Sequence, residues 1–195
     1  MKLNFSKITI LLVGDLMIDH YIVGTSNRVS PEAPVPVVIP KDEYAIPGGA
    51  ANVAMNLSAL GVNVVCLGNI GDDIWGEKLI STLKNEGINV DGIDIIKNHP
   101  TTLKQRIYSD GKQVARLDTE KILKWSPKMS DHNLDNYDAC IVSDYNKGVV
   151  NNIKLDAKIL IVDPKKDDFS QYNNVKIITP NLSELQKASK IEIKD

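Results

Sequence analysis

Residue types able to do chemistry gather at a few places in the 195-residue sequence. The stretch PGGAANVAMN, from Pro47 to Asn56, enters what reads as a helix through two glycines. The first N–H groups of a helix are free and lie at the positive end of its dipole. Glycine lets a backbone approach a ligand with no Cβ in between. Asn52 adds an amide donor and acceptor in the first turn. Gly48, Gly49 and Asn52 are thus either a ligand-facing helix entry or a tight turn that permits close helix packing. Asp15 and Asp19 follow the first apolar run, where a carboxylate can accept two hydroxyl donors or cap a turn. Lys104 and Arg106 stand two apart on a strand and share one face. Two such cations can hold a phosphate, or simply form a solvated face. Arg116 falls on the other face if the intervening hairpin is regular, and with Asp118 it reads as a surface ion pair of little worth. Asp144 and Lys147 in SDYNKG, and Lys165 in DPKK, follow apolar strands. Asn181 and Glu184 in TPNLSE have the spacing of a helix capping box.

The elements that must position these residues can be read from periodicity. ITILLV, VNVVCLG, YDACIVSD, KILIVD and VKIIT are β-branched runs without alternation. Such runs fit strands buried on both faces of a parallel sheet. Helices are expected over Ala50–Leu60, stopped by Gly61, and from Asp72 to about Glu86, stopped by Gly87. Strands alternating with helices predict an α/β fold. HYIVG and PVPVVIP read as short edge strands. Thr101–Asp118 reads as a hairpin with a type I′ turn at Asp110-Gly111. Together these pieces predict a small second sheet, a β lid, over about residues 20–40 and 101–118. KWSPKMSDHNLDN (Lys124–Asn136) reads as a surface loop.

Bulk composition excludes several classes. A net charge of -2 gives no electrostatic grip on nucleic acid. No apolar run reaches the length of a membrane span, so no membrane partner is expected. Met1–Asp15 reads as a first strand rather than a signal peptide. Cys66 and Cys140 sit inside apolar runs, as buried, reduced thiols of a cytoplasmic protein do. Neither a G-x-G-x-x-G fingerprint nor a Walker A motif is present.

GGAANVAMNLSALGVNVVCLGNIG (Gly48–Gly71) resembles the first signature of the ribokinase-like, or PfkB, family of sugar kinases. RVSPEAPVPVV, GDLMID, RLDTE, SDYNKG, DPKKDDFSQY and TPNLSE resemble the heptose-7-phosphate kinase branch of that family. The resemblance runs from about Ile8 to Glu184. It implies a ribokinase-like α/β fold with a β lid, in one partial kinase domain over residues 1–195. It implies ATP-dependent phosphorylation of a heptose 7-phosphate at its anomeric hydroxyl, with Mg²⁺, in ADP-heptose synthesis for lipopolysaccharide cores. Asp15, Asp19, Gly48, Gly49, Asn52, Lys104, Arg106 and Arg116 would bind the sugar phosphate. Asp144, Lys147, Lys165, Asn181 and Glu184 would face the ATP phosphates, with Glu184 near the metal. Lids in this family form dimer contacts, which implies a homodimer.

Two departures from the family shape the expectation. No GAGD-like stretch, the family's second signature with its catalytic Asp, occurs before Asp195. The chain alone is therefore expected to be weak or inactive as a kinase, with no catalytic base of its own. A non-catalytic binding module is one alternative, and half of a split kinase completed by a second polypeptide is another. Only Asn151–Ala157 separate SDYNKGVV from KILIVD. A parallel crossover needs a dozen or more residues, so its helix is expected to be lost or reduced to a turn.

Overall fold

The computed structural model describes residues 5–150 and 155–192. β1 (Thr9–Gly14) passes at Asp15 into β2 (Leu16–Thr25), which pairs antiparallel with β3 (Ile39–Gly49). Then come α1 (Ala50–Ala59), β4 (Asn63–Gly71), α2 (Ile74–Asn85) and β5 (Asn89–Ile96). The hairpin β6 (Leu103–Ser109) and β7 (Lys112–Thr119) follows, then β8 (Ala139–Ser143), β9 (Leu160–Asp163), β10 (Ile177–Ile178) and α3 (Leu182–Ser189).

Two sheets result. Among the described residues the main one has the order β10-β9-β8-β1-β4-β5, with every pair parallel. The second has the order β3-β2-β6-β7. β1 shows why its run lacks alternation. Ile10 and Leu12 pack into one cluster with Ala50, Ala54, Leu79 and Leu83 of the helices. Leu11 and Val13 pack into another, with Leu67, Cys140, Val142 and Leu160. Both faces of the strand are buried, as for a central strand of a covered parallel sheet.

The expected helices are α1 and α2, and Gly61 and Gly87 beyond their ends have φ of 84° and 73°. Asp110 and Gly111 both have positive φ, 52° and 78°, as a type I′ turn requires. Five expectations need correction. HYIVG is not a short edge strand but lies within the ten-residue β2, between β3 and β6. β5 was not anticipated: its sequence NVDGIDII carries two aspartates and a glycine, which hide the strand. PVPVVIP is not the edge strand. Its first residues make only the Val29–Pro36 bridge, and β3 starts at Ile39, beyond most of the prolines that cannot donate to a ladder. The lid consequently spans Leu16–Thr25 and Ile39–Gly49 as well as the hairpin, rather than beginning near residue 20. Lys124–Asn136 is not merely a surface loop, because Trp125, Met129 and Leu134 pack against the second core cluster. The Trp125 indole N–H donates to Asp94 at 2.7 Å. The shortened crossover lies mostly outside the described residues, which resume at a buried Leu155.

Candidate functional site

The lid brings five charged side chains to one face. β2 and β6 pair in parallel with Asp19 opposite Lys104 and Tyr21 opposite Arg106. Arg106 Nη1 donates to Asp19 Oδ1 at 2.6 Å, and its guanidinium lies 5.3 Å from the Tyr21 ring centre. The hairpin is not regular, and this corrects the expectation for Arg116. Ile107 pairs with Ala115 while Tyr108 pairs with Gln113, so Val114 is an extra residue in β7. Such a bulge shifts the register by one and turns every later side chain to the other face. Arg116 therefore sits directly opposite Arg106, and Asp118 opposite Lys104. Arg116 holds Asp118 through two hydrogen bonds of 2.7 and 2.5 Å, and Lys104 Nζ lies 3.5 Å from the same carboxylate. The Arg116 bonds, with Lys104 adding to them, hold the Asp118 carboxyl down at about 2.

The glycine pair meets this cluster from β3. Gly48 pairs with Met17, and a Cβ on it would strike the Asp19 carboxylate. Gly49 caps α1 with φ of 55°, where a side chain would be strained and would also meet the Asp15 carbonyl. Asn52 is exposed on the first turn of α1. The bareness of the helix entry thus admits the Asp19 carboxylate against the backbone at the start of α1, whose Ala50 N–H donates to the Asp15 carbonyl at 3.0 Å.

Asp15 does a different job from its neighbour. It is 2% exposed, and its carboxylate accepts from three backbone N–H groups: Tyr145 at 2.7 Å, Lys147 at 3.1 Å and Val149 at 3.1 Å. Burial pushes its pKa up and the nearby Asp144 adds to this, while the three donors pull the other way. Asp15 fixes the loop after β8. Lys147 on that loop reaches Glu120, just past the lid strand β7, at 2.6 Å. Asp144 Oδ2 accepts from the Tyr172 hydroxyl at 2.7 Å and lies 3.5 Å from Lys166 Nζ, which also donates to the Val150 carbonyl.

The C-terminal ends of β8, β9 and β10 converge on a concavity of about 180 Å³ lined by Asp144, Tyr145, Asp163, Lys165, Asn181 and Glu184. Ligands of open α/β sheets bind beyond such strand ends. Both bonds of the capping box are present: the Asn181 side chain accepts from the Glu184 N–H, and Glu184 Oε2 accepts from the Asn181 N–H, each at 2.9 Å. Glu184 Oε1 takes Lys165 at 2.7 Å. Burial alone would raise the Glu184 pKa, but the Lys165 ammonium and the Asn181 N–H overcome it and hold the carboxyl below its ordinary value. Asp163 goes the other way, raised by burial and by the Glu184 charge. Asp163, Tyr145 and Tyr172 were not singled out from sequence, and Asp118 only as the partner of Arg116 in a surface ion pair, although Asp163 stands at the end of an apolar run, which is signal enough. Larger concavities, of about 400 Å³ beside Trp125 and 480 Å³ between α2 and β5, lie away from these convergent charges. Chemistry rather than volume therefore marks the site.

No group of three or more His, Cys, Asp or Glu side chains among the described residues is placed to hold a metal ion alone. That is compatible with Mg²⁺, which uses one or two carboxylates together with waters and substrate phosphates. Asp144, Asp163 and Glu184 are the carboxylates on the cavity wall from which such a pair could be drawn.

A parallel α/β sheet with a β lid, and charges gathered at strand ends and on the lid, define the class of α/β folds that place ligand sites beyond their strand ends. The model of the pfkB family carbohydrate kinases matches residues 7–195, and the chain belongs to that family. The bifunctional protein HldE of Helicobacter pylori strain J99 is 40% identical over 200 residues, covering 94% of this chain and 43% of that protein. The HldE protein of Wolinella succinogenes is 41% identical, with 96% and 43% covered. The chain thus spans less than half the length of these relatives. Among solved structures, Arabidopsis thaliana ribokinase complexed with ribose and ATP superposes with a TM-score of 0.68 at 17% identity, over 94% of this chain and 62% of that one. The Methanocaldococcus jannaschii nucleoside kinase gives 0.64 at 19%, over 93% and 63%. At such identities these two show the shared fold alone.

Proposed function

We propose that this chain forms the sugar-binding part of an ATP-dependent kinase acting on a heptose 7-phosphate at its anomeric hydroxyl, in a cytoplasmic pathway to ADP-heptose. The observation that carries the reading is the single lid face on which Asp19, Lys104, Arg106 and Arg116 meet beside the bare helix entry. Asp19, Gly48, Gly49 and Asn52 take sugar hydroxyls, and Lys104, Arg106 and Arg116 take the phosphate already on the sugar. Asp15 supports the site by fixing the loop that carries Asp144 and Lys147. ATP enters from the strand-end cavity, where Lys165 and Asn181 face its phosphates. Mg²⁺ beside Glu184 would neutralise phosphate charge during in-line attack on the γ-phosphate. The residues assigned here bind and orient; none of them is given the role of base. Ile39, Tyr44 and Ile46 stand exposed on β3, the edge strand of the lid sheet, and support pairing with a second copy there.

Calorimetric titration with D-glycero-D-manno-heptose 7-phosphate tests it. Losing a charge-assisted contact costs about 1.5–3 kcal/mol, so Asp19→Ala and Arg106→Gln should each weaken binding by roughly ten- to a hundredfold. Unchanged binding in Asp19→Ala would remove the sugar site. ADP release in the presence of ATP and Mg²⁺ then separates a kinase from a binding module.

A further inference from the structure

The lid face holds one charged group that the proposed reading leaves without a task. Asp118 lies between two of the three cations on that face. Arg116 grips it with two parallel hydrogen bonds, and Lys104 Nζ stands 3.5 Å from its Oδ2. Arg106 is engaged elsewhere, with Asp19. Among the placed side chains, the guanidinium edge of Arg116 and the ammonium of Lys104 are thus directed at one carboxylate. A fork of this kind fits carboxylate and phosphate alike.

We propose that Asp118 is a specificity-determining residue: it fills the anion position between Lys104 and Arg116 and excludes small free anions, yielding only to a sugar phosphate that is also anchored elsewhere. This rests on the reading of the lid face as a sugar-phosphate site. Asp118 is on the same strand as Arg116, two residues on, so it competes with any free anion as an intramolecular ligand with a high effective concentration. Inorganic phosphate has no second anchor and must displace the carboxylate unaided. A sugar phosphate also engages Asp19 and the helix entry through its hydroxyls, and those contacts offset the displacement. The bulge at Val114 is what makes the device, since without it Arg116 and Asp118 would face away together.

The test is titration of the 195-residue chain with inorganic phosphate and with heptose 7-phosphate, for the native protein, Asp118→Asn and Asp118→Ala. Every residue of β7 is exposed, so both variants should fold, as circular dichroism will verify. Inorganic phosphate should bind about two- to fivefold tighter in both variants, as expected when a partly exposed ion-pair competitor is removed. Selectivity for the sugar phosphate over inorganic phosphate should fall accordingly. Phosphate affinity that is unchanged or weaker in both variants overturns the inference. If heptose 7-phosphate still binds in an Arg106-dependent way in that case, the inference alone fails. If no form binds either ligand, the lid-face reading fails and takes the inference with it.

Discussion

The Asp15 carboxylate offers a quantitative test of how the loop after β8 is held. It accepts from the backbone N–H groups of Tyr145, Lys147 and Val149, and it is 2% exposed. Asp15→Ala leaves three donors without their acceptor. Each buried donor left unsatisfied costs about 1–3 kcal/mol, and water entering the vacated space recovers part of it. A loss of roughly 3–6 kcal/mol follows, a large share of the 5–15 kcal/mol typical of a domain. Asp15→Asn keeps one acceptor oxygen. It can still serve Tyr145 and Lys147, which share Oδ2, and it orphans Val149 alone, for about 1–3 kcal/mol. The pH dependence adds a sign. Burial raises the folded-state pKa of Asp15 above its unfolded value, so the native state binds a proton more readily than the unfolded chain. The group's contribution therefore improves as pH falls from above the folded pKa towards about 3.9, its ordinary value. Relative to Asp15→Asn, the native protein should gain stability over that window. Urea unfolding at several pH values measures all of this. Equal losses in the two variants, or a loss under about 0.5 kcal/mol in Asp15→Ala, would refute the three-donor clamp.

Other outcomes follow from the same structure. Glu184 is held below its ordinary pKa, so its contribution is present above about pH 4.3 and lost as pH falls through the lower folded value. The difference in melting temperature between the native protein and Glu184→Gln should accordingly shrink on acidification; a constant difference would contradict the pairing with Lys165. Burial pushes Cys66 and Cys140 up to about 12, so a thiol reagent at pH 8 should find neither in the folded protein and both after unfolding. Leu79 is fully buried against α1 and the sheet, and Leu79→Ala should cost about 2–5 kcal/mol in denaturant unfolding. Gly111→Ala places a Cβ at φ of 78° in the lid turn and should cost about 1–2 kcal/mol, read as faster amide exchange across β6 and β7.

The sequence by itself determined the features whose causes are local. Unbroken Ile, Leu and Val runs specified strands of the parallel sheet, and β1 divides its side chains between two core clusters as that pattern demands, whereas VKIIT gives only the two-residue edge strand β10, whose Ile177 and Ile178 are exposed. Asp110-Gly111 specified the hairpin because both positions need positive φ. Asn181 and Glu184 specified the start of α3 because each satisfies the other's backbone N–H. Tertiary structure decided the rest. Spacing alone put Arg116 on the wrong side of the lid, because one extra residue at Val114 reverses a strand's faces and carries no mark in composition. Asp15 and Asp19 look alike as two carboxylates after one strand. Only the loop arriving from 130 residues away, with three N–H groups to satisfy, makes one a buried clamp and leaves the other on the lid face with Arg106. A lone residue type states what a side chain can bond. Its partners are set by long-range packing, because every buried donor and acceptor must find one.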